Sequence, residues 1–242
     1  MAPSWSINPT EAKKDPCWAA VDQYTVSHLH PAASTPSPPI LAKAVANSNA
    51  NNLPKYEVSP SQGKFLMLQA RMINAKYILE IGTLGGYSTI WLVNATPDTK
   101  VTTIEINERF AQVARENWVT AGVGGKIELK LGSALEVLPE LLEEVKKGER
   151  SKFDMVFIDA DKAKGLQYFD FAVKMCRKGA CVFVDNVVMK GSLVDEEQFD
   201  NPHVSGSRAV VEGVGGDRRV DAVVMQTVGE KIYDGFIMAV VN

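Results

Sequence analysis

The sequence contains few cysteines and histidines, and it has no excess of charge of one sign. Its cysteines, Cys17, Cys176 and Cys181, include no CxxC pair and are odd in number, so free thiols in a reducing compartment are a simpler interpretation than a disulfide framework. The 3 histidines are dispersed and lack the spacing of a histidine metal site. The net charge of -3 excludes the strongly basic surface that binds a nucleic-acid backbone.

Long apolar runs are also absent. No stretch approaches the roughly 20 apolar residues that cross a bilayer, and the first residues show no basic region followed by an apolar stretch. We therefore expect a cytoplasmic protein with a small-molecule ligand and with no membrane or nucleic-acid partner. Hydrophobic residues still make up 45% of the 242 residues, which is enough for the core of one large α/β domain.

The beginning of the chain differs in composition from the rest. Residues 1–60 are rich in Pro, Ser, Asn and Ala, with two helical patches separated by a proline-rich segment. We interpret them as a helical extension that belongs to the same domain as residues 61–242 and contacts either a substrate pocket or a second subunit. Trp5 and Trp18 could cap that pocket or a dimer seam, and the sequence does not choose between these roles.

The pattern after residue 60 alternates between helix and strand. The predicted strands are residues 77–81, 101–105, 127–131, 154–159, 180–185, 220–228 and 233–241. The first five alternate with helices, the last of which is predicted to end near Cys176, so right-handed crossovers require a parallel sheet. The last two strands are joined by a short polar link and form an antiparallel hairpin. The predicted fold class is therefore α/β: a Rossmann-like, mostly parallel seven-stranded sheet with an antiparallel C-terminal hairpin and helices on both faces.

Two aspartates stand at the ends of consecutive apolar runs. Asp159 closes one run, and Asp185, followed by Asn186, closes the next. Because the carboxyl ends of parallel strands form the ligand crevice of an open α/β sheet, we expect the two carboxylates and the amide oxygen to converge. Such oxygen ligands suit a divalent cation, Mg2+ or alternatively Mn2+ or Ca2+. The competing interpretation is that each aspartate only ends a strand.

A glycine-rich turn follows the first predicted strand. Residues 80–88, Glu-Ile-Gly-Thr-Leu-Gly-Gly-Tyr-Ser, lead into a helix and let the backbone approach a ligand at the helix N-terminus. The glycines are not spaced as GxGxxG, which disfavours a pyrophosphate, and Glu80 could hold the ammonium of an amino-acid group. Glu105 ends the next strand, where a carboxylate can accept both ribose hydroxyls. Carboxylates at both ends suit a positively charged nucleoside without phosphate, and S-adenosylmethionine has that form.

Further motifs accompany these residues. They are Ser61-Gln62-Gly63, Ile104-Glu105-Ile106-Asn107, Gly132-Ser133-Ala134-Leu135, Asp159-Ala160-Asp161-Lys162, Asp185-Asn186, and the tail segments 224–229 and 233–235. With the glycine-rich turn, they make residues 58–242 resemble the cation-dependent class I S-adenosylmethionine O-methyltransferases, the family that includes caffeoyl-CoA O-methyltransferase and, more distantly, catechol O-methyltransferase. The most specific element of the resemblance is Asp-Ala-Asp-Lys followed by Asp-Asn.

The resemblance implies roles for individual residues. It assigns a divalent cation to Asp159, Asp185 and Asn186. It assigns the methyl donor, S-adenosyl-L-methionine, to Val58, Glu80, Gly82, Thr83, Ser88, Glu105, Ala134 and Asp161. It further implies the fold of the S-adenosylmethionine methyltransferases and a homodimer.

The predicted reaction moves a methyl group from the sulfonium to a hydroxyl of an aromatic vicinal diol. A cation chelated by both diol oxygens acts as a Lewis acid and a template. Lys162 can accept the phenol proton, since the cation and the sulfonium disfavour its charged form and lower its pKa. The alternative for Lys162 is a surface lysine at a helix start. We predict that Lys162 and Asp159 are the catalytic residues.

Two positions depart from the plant enzymes of the family. Gly165 stands where those enzymes have a tyrosine, and Met189-Lys190 stands where they have Trp-Asn. Both positions border the acceptor pocket, so we expect an acceptor range different from caffeoyl-CoA or wider. Two other functions remain alternatives: a methyltransferase-like scaffold that has lost activity and serves as an interaction module, and, disfavoured by the glycine spacing, a nucleotide-linked oxidoreductase.

Overall fold

The computed structural model describes residues 15–242. The strands are β1 (Tyr77–Ile81), β2 (Lys100–Glu105), β3 (Ile127–Leu131), β4 (Phe153–Ile158), β5 (Cys176–Val184), β6 (Val220–Thr227) and β7 (Asp234–Val241). The helices are α1 (Pro16–Leu29), α2 (Pro38–Ala50), α3 (Pro60–Met72), α4 (Tyr87–Val93), α5 (Glu108–Thr120), α6 (Ala134–Lys147), α7 (Gly165–Met175) and α8 (Pro202–Gly215). The strands form one seven-stranded sheet in the order β3-β2-β1-β4-β5-β7-β6.

The sheet is parallel from β3 to β5 and antiparallel beyond it. β7 runs antiparallel to both β5 and β6, so the predicted mostly parallel sheet with a C-terminal hairpin is confirmed. β4 is buried at every residue because the sheet is covered on both sides, which explains its uninterrupted apolar sequence.

Helices cover both faces of the sheet. On one face α6, α7 and α8 pack around Leu138, Phe169 and Val210. On the other face α2 to α5 pack around Trp91 and Phe157. Each fully enclosed apolar side chain stabilises the fold by roughly 1.5 to 3 kcal/mol. Since both faces are covered, a ligand can approach the sheet only at the ends of its strands.

The start of β5 was predicted incorrectly. The helix before it ends at Met175, within one residue of its predicted end near Cys176, but β5 begins at Cys176 and not at residue 180 as predicted. The first residues of β5 were not predicted as strand because the segment after Cys176 is polar. In the structure the Arg177 charge is paired, since its Nε donates to Asp154 Oδ1 (2.5 Å). The β4–β5 register also shifts between Phe153 and Met155, which interrupts the strand pattern.

The described part of the N-terminal extension is attached by polar contacts. Asn47 of α2 donates to Asn117 Oδ1 of α5 (2.9 Å), and Asp22 of α1 accepts from Ser61 Oγ of α3 (3.1 Å). The assignment of residues 1–60 to the same domain stays a prediction, and Trp5 lies outside the described residues. Within residues 15–242, no helix combines the length and apolarity needed to cross a bilayer.

Candidate active site

A cavity of about 1430 Å³ lies at the carboxyl ends of the parallel strands. It is larger than the roughly 300 to 1,000 Å³ of a pocket for one drug-sized ligand, so two small molecules fit together. Its lining includes the predicted site residues Val58, Gly82, Thr83, Ser88, Glu105, Ala134, Asp159, Asp161, Lys162, Asp185 and Asn186. Glu80 lies behind the cavity wall. Trp18 is half-buried on α1 and is not part of the lining.

The glycine-rich turn has a backbone that only glycine can adopt at two positions. Gly82 has a φ of 98°, and a Cβ there would overlap the carbonyl oxygen of Asp159. Gly86 has a φ of 71°, and a Cβ there would overlap the indole of Trp118, whose Nε1 donates to the Gly86 carbonyl (3.2 Å). Glycine at position 82 therefore lets the turn pack directly against the residue that follows β4, at the edge of the cavity.

Glu105 holds this turn in place from the end of β2. Its Oε2 accepts the backbone amides of Thr83 (3.2 Å) and Leu84 (2.8 Å), and its Oε1 accepts that of Asn107 (2.9 Å). A carboxylate offers about four acceptor positions. The remaining capacity of Glu105 faces the cavity, where it can receive a ligand hydroxyl.

Glu105→Ala should weaken binding of S-adenosylmethionine by tenfold or more, because hydrogen bonds to a charged group are worth roughly 1.5 to 3 kcal/mol. Glu105→Gln keeps one oxygen for the turn but loses the charge, so its affinity should lie between those of the alanine variant and the natural protein. Isothermal titration with the donor measures both values. Equal dissociation constants for all three proteins would exclude Glu105 as a donor ligand.

Glu80 is fully buried and is enclosed by hydroxyl groups. Its Oε1 accepts from Ser88 Oγ (2.6 Å), and its Oε2 accepts from Thr89 (2.6 Å) and Thr103 (2.7 Å). Burial raises the pKa of Glu80 to about 7 against the lowering effect of these hydroxyls, and Asp159 raises the pKa further. In this position Glu80 orients Ser88, which lines the cavity. Glu80 would not contact the ammonium of a ligand directly and would act on it only through the Ser88 hydroxyl.

Glu80→Gln should change how stability depends on pH. A carboxyl whose folded-state pKa is raised stabilises the fold fully below its unfolded pKa of about 4.5, and this contribution is lost as pH rises through about 7. Relative to the variant, the natural protein should therefore lose roughly 2 to 3 kcal/mol of unfolding free energy between pH 5 and 8. Urea unfolding of both proteins at these pH values checks this, and parallel pH profiles would contradict it.

The other donor residues predicted from the sequence lie at element ends. Val58 is buried in the segment before α3, and Ala134 is the first residue of α6. Asp161 follows β4 and accepts the backbone amide of Ala163 (3.1 Å), and Lys164 Nζ lies 3.6 Å from its Oδ2. Asp161 thus keeps an accessible carboxylate at the cavity.

Four predicted site residues lie after β4 and β5 in the same cavity, and we call this candidate cluster the reaction centre: Asp159, Lys162, Asp185 and Asn186. Lys162 Nζ donates to Asp159 Oδ1 (2.6 Å) and to the backbone oxygen of Asp185 (3.1 Å). Asp185 Oδ1 accepts the amide of Asn186 (3.0 Å). Asn186 has a φ of 56°, a left-handed conformation that asparagine tolerates better than most residues. The expected convergence of the Asp159 and Asp185 carboxylates is therefore observed, and Asn186 lines the same cavity.

The charges of the reaction centre are coupled. Burial raises the pKa of Asp185, and the nearby Asp159 carboxylate raises it further. Burial alone would lower the pKa of Lys162, but the Asp159 and Asp185 carboxylates outweigh it, so the pKa of Lys162 is raised. The lowered pKa predicted for Lys162 therefore requires cations beside it. The protein groups alone keep Lys162 protonated.

The reaction centre suits a divalent cation by the chemistry of its donors. Asp159, Asp185 and Asn186 offer two carboxylates and an amide oxygen, a hard ligand set of the kind Mg2+ or Ca2+ takes. The two carboxylates repel each other, and Lys162 balances only one of their charges. Within residues 15–242, no three His, Cys, Asp or Glu side chains are grouped as metal ligands, so the third protein donor would be the amide.

Comparison with known proteins identifies the family. The family model described as "O-methyltransferase" matches residues 31–239. The chain belongs to the O-methyltransferase family. The O-methyltransferase imqG of Aspergillus flavus is 47% identical to this methyltransferase over 95% of this chain and 93% of its own length. A catechol O-methyltransferase of Mycobacterium tuberculosis is 43% identical over 84% of this chain and 89% of its own length.

A solved structure shares the fold of this methyltransferase. The O-methyltransferase from Bacillus cereus in complex with SAH has a TM-score of 0.85 and 41% identity, over 93% of this chain and 99% of that chain. The predicted enzyme class, family and methyltransferase fold are thereby confirmed. The oxidoreductase alternative has no support from these relatives.

Helix α8 positions Lys162 in this O-methyltransferase. A Cβ on Gly206 would overlap the backbone of Lys162 and Ala163, so glycine lets α8 pack directly on the turn that carries Lys162. A Cβ on Gly165 would crowd Val210 of α8. The tyrosine of the plant enzymes therefore does not fit here without a shift of α8, which accounts for the departure at Gly165.

Three residues that line the cavity of this methyltransferase were not predicted from the sequence. Tyr87 is only 7% exposed, and burial raises its pKa to about 12, with Glu230 and Glu57 contributing. Asp234 accepts the backbone amide of Met189 (3.0 Å) beside the reaction centre. Tyr87 and Asp234 lie inside motifs noted in the sequence. The third, Asp22, has no sequence signal because its cavity contacts come from distant parts of the chain.

Proposed function

We propose that this O-methyltransferase transfers a methyl group from S-adenosyl-L-methionine to one hydroxyl of an aromatic vicinal diol and depends on a divalent cation. The observation that carries the proposal is the order of groups along the sheet edge. Glu105 ends β2 and Ala134 follows β3, the reaction centre follows β4 and β5, and further cavity lies towards β7. A relative is named a catechol O-methyltransferase, and a structural neighbour was solved with SAH.

The donor occupies the end of the cavity over β1 to β3. Glu105 receives the ribose, and Ala134 lies near the adenine. The turn with Gly82, Thr83 and Ser88, together with Val58 and Asp161, receives the amino-acid part. This arrangement directs the sulfonium methyl to the reaction centre.

Asp159, Asp185 and Asn186 would hold the cation. When bound, a divalent cation acts as a Lewis acid on the two oxygens of the diol and lowers the pKa of the reacting hydroxyl. The protein residues keep the carboxylates in place: Asp185 through the Asn186 amide, and Asp159 beside the Lys162 ammonium.

Lys162 receives the proton of the reacting hydroxyl. An ordinary phenol has a pKa near ~10, so the oxygen must lose its proton to attack. The phenolate oxygen then forms a bond to the methyl carbon as the carbon–sulfur bond breaks, and S-adenosylhomocysteine leaves. Engagement of Asp159 by a cation would remove the main partner that keeps Lys162 protonated, so Lys162 would first lose its proton to solvent and could then accept that of the hydroxyl. The catalytic roles of Lys162 and Asp159 are thus to take the proton and to hold the cation.

The acceptor is a catechol-type molecule, and the acceptor range is different from caffeoyl-CoA or wider, because Gly165 and Met189 replace the residues of the plant enzymes. The chain is further expected to be a homodimer, which sedimentation velocity would check.

The function is tested by incubating the protein with S-adenosylmethionine, Mg2+ and a panel of catechols, with mass-spectrometric detection of a methyl gain. Donor binding without a methyl gain on any catechol would favour the inactive-scaffold alternative.

A further inference from the structure

The turn between β6 and β7, residues 228–233, forms the cavity wall beyond the reaction centre. β7 is antiparallel to β5, with Ile237 opposite Val184, so this turn stands beside the end of β5 that carries Asp185. Val228, Gly229, Glu230, Lys231 and Ile232 all line the cavity. On the proposed function, this wall lies away from Glu105 and Ala134, which receive the ribose and the adenine, and borders the space beside the reaction centre where the acceptor ring and its substituents must sit.

Asp22 joins this turn to two other segments of the cavity wall. Its Oδ2 accepts the backbone amide of Glu230 (2.7 Å), and its Oδ1 accepts from Ser61 Oγ at the start of α3 (3.1 Å). Asp22 itself lines the cavity from α1. One carboxylate therefore connects α1, α3 and the β6–β7 turn across the acceptor end.

The contact of Asp22 with the turn is close and specific. A Cβ on Gly229 would lie 2.5 Å from Asp22 Oδ2, so a side chain there would push the carboxylate away. A second bridge reinforces the position, because Lys231 Nζ donates to Glu57 Oε1 (2.9 Å) and to the Glu57 carbonyl. The turn is thereby held from two directions, and Asp22 is the side chain that reaches both the turn and α3.

We propose that Asp22 is a positioning residue for the acceptor and determines which hydroxyl of an asymmetric catechol is methylated. This inference rests on the proposed function. With the turn held by Asp22, the wall sets the space for the ring substituent and thus the orientation of the two hydroxyls at the reaction centre. Without Asp22, the turn keeps only its Lys231–Glu57 bridge, and a catechol can bind with its hydroxyls exchanged.

The test compares Asp22→Ala, Asp22→Asn and the control Asp15→Ala with the natural protein. Asp15 caps the same helix by accepting the Cys17 amide (2.8 Å), and it is exposed, so its loss weakens α1 without touching the turn. The acceptor is 4-ethylcatechol, which is uncharged and has two inequivalent hydroxyls. The readouts are the ratio of the two O-methyl isomers, the KM for the catechol, kcat, and the dissociation constant of S-adenosylhomocysteine.

Asp22→Ala should move the isomer ratio towards one to one and raise the catechol KM about tenfold, the size expected for one lost hydrogen bond to a charged acceptor. Its kcat should change less than the KM, and S-adenosylhomocysteine binding should stay within about twofold of the natural value, since the hydrogen bonds of the Asp22 carboxylate go to Ser61 and Glu230 and not to Glu105, Ala134 or the glycine-rich turn. Asp22→Asn should restore the natural ratio, because the amide oxygen can accept from Glu230 and the amide nitrogen can donate to Ser61 Oγ.

An unchanged isomer ratio and KM in Asp22→Ala would overturn the inference. An isomer ratio near one to one and a raised KM in Asp15→Ala would also overturn it, because the effect would then come from a weakened α1 and not from the Asp22 contact. If Asp22→Ala fails to fold, Asp22→Asn decides: a ratio near one to one in that variant would overturn the inference, and a natural ratio there would support it. A natural protein that methylates no catechol would instead refute the proposed function, and the inference with it.

Discussion

Lys162→Ala should lower kcat for a catechol by roughly 100-fold or more, the usual effect of removing a general base. Lys162 is the ammonium that lies 2.6 Å from Asp159 in the reaction centre. Its hydrogen bonds go to Asp159 and Asp185 and not to the proposed donor residues, so the dissociation constant of S-adenosylmethionine should stay close to the natural value. Raising the pH should restore part of the rate, because solution then supplies phenolate. Steady-state kinetics from pH 6 to 9, with donor titrations, measures these effects.

Lys164→Ala is the matched control for this variant. Lys164 lies on the same turn and lines the cavity, but its ammonium pairs with Asp161 (3.6 Å) and not with Asp159 or Asp185. Its removal should change kcat by less than about threefold, within the range of an exposed ion pair. A natural pH profile in Lys162→Ala, or an equal loss in both lysine variants, would remove Lys162 from the mechanism.

Asp185→Ala should abolish detectable methylation and most of the affinity for Mn2+, used here as a spectroscopic substitute for Mg2+. The variant leaves Asp159 as the one carboxylate of the cation site, and a divalent cation is then under-coordinated by the protein. Donor binding should survive, because Glu105 and the glycine-rich turn lie over other strands. Electron paramagnetic resonance of free Mn2+ measures cation binding without reference to activity.

Asp185→Asn separates charge from shape in the same experiment. Asparagine keeps an oxygen for the Asn186 amide but removes the carboxylate, so it should bind Mn2+ almost as poorly as the alanine variant. Asp200→Asn, at an exposed position, removes the same charge elsewhere and should bind Mn2+ normally. Full Mn2+ affinity in Asp185→Asn would show that Asp185 ends β5 for structural reasons only.

Much of this arrangement could be predicted because parallel strands place their carboxyl ends together. Asp159 and Asp185 lie far apart in sequence, but each ends an apolar run, and adjacent parallel strands bring such ends side by side. Glu105 was predicted by the same reasoning at the end of β2. Right-handed crossovers and the closing hairpin predicted the directions of the strands but not their order in the sheet.

Other features depend on packing that the strand pattern does not encode. Glu80 belongs to β1 itself, so its side chain points between the sheet and α4 and is enclosed by three hydroxyls. Its carboxylate therefore does not line the cavity. The pKa of Lys162 depends on the charges around it. The neighbouring protein groups are the carboxylates of Asp159 and Asp185, which raise this pKa. The Asp22 contact joins residues 208 positions apart in sequence, and no local pattern indicates it.

The most direct test of the account is the cation dependence of catechol methylation. The natural protein is dialysed against EDTA and assayed with S-adenosylmethionine on a catechol and on a monophenol lacking the second hydroxyl, before and after Mg2+ is added. The account predicts no methyl gain on the catechol in EDTA, recovery with Mg2+, and slow reaction of the monophenol under both conditions. Full activity in excess EDTA, or equal rates on the two acceptors with Mg2+, would contradict it.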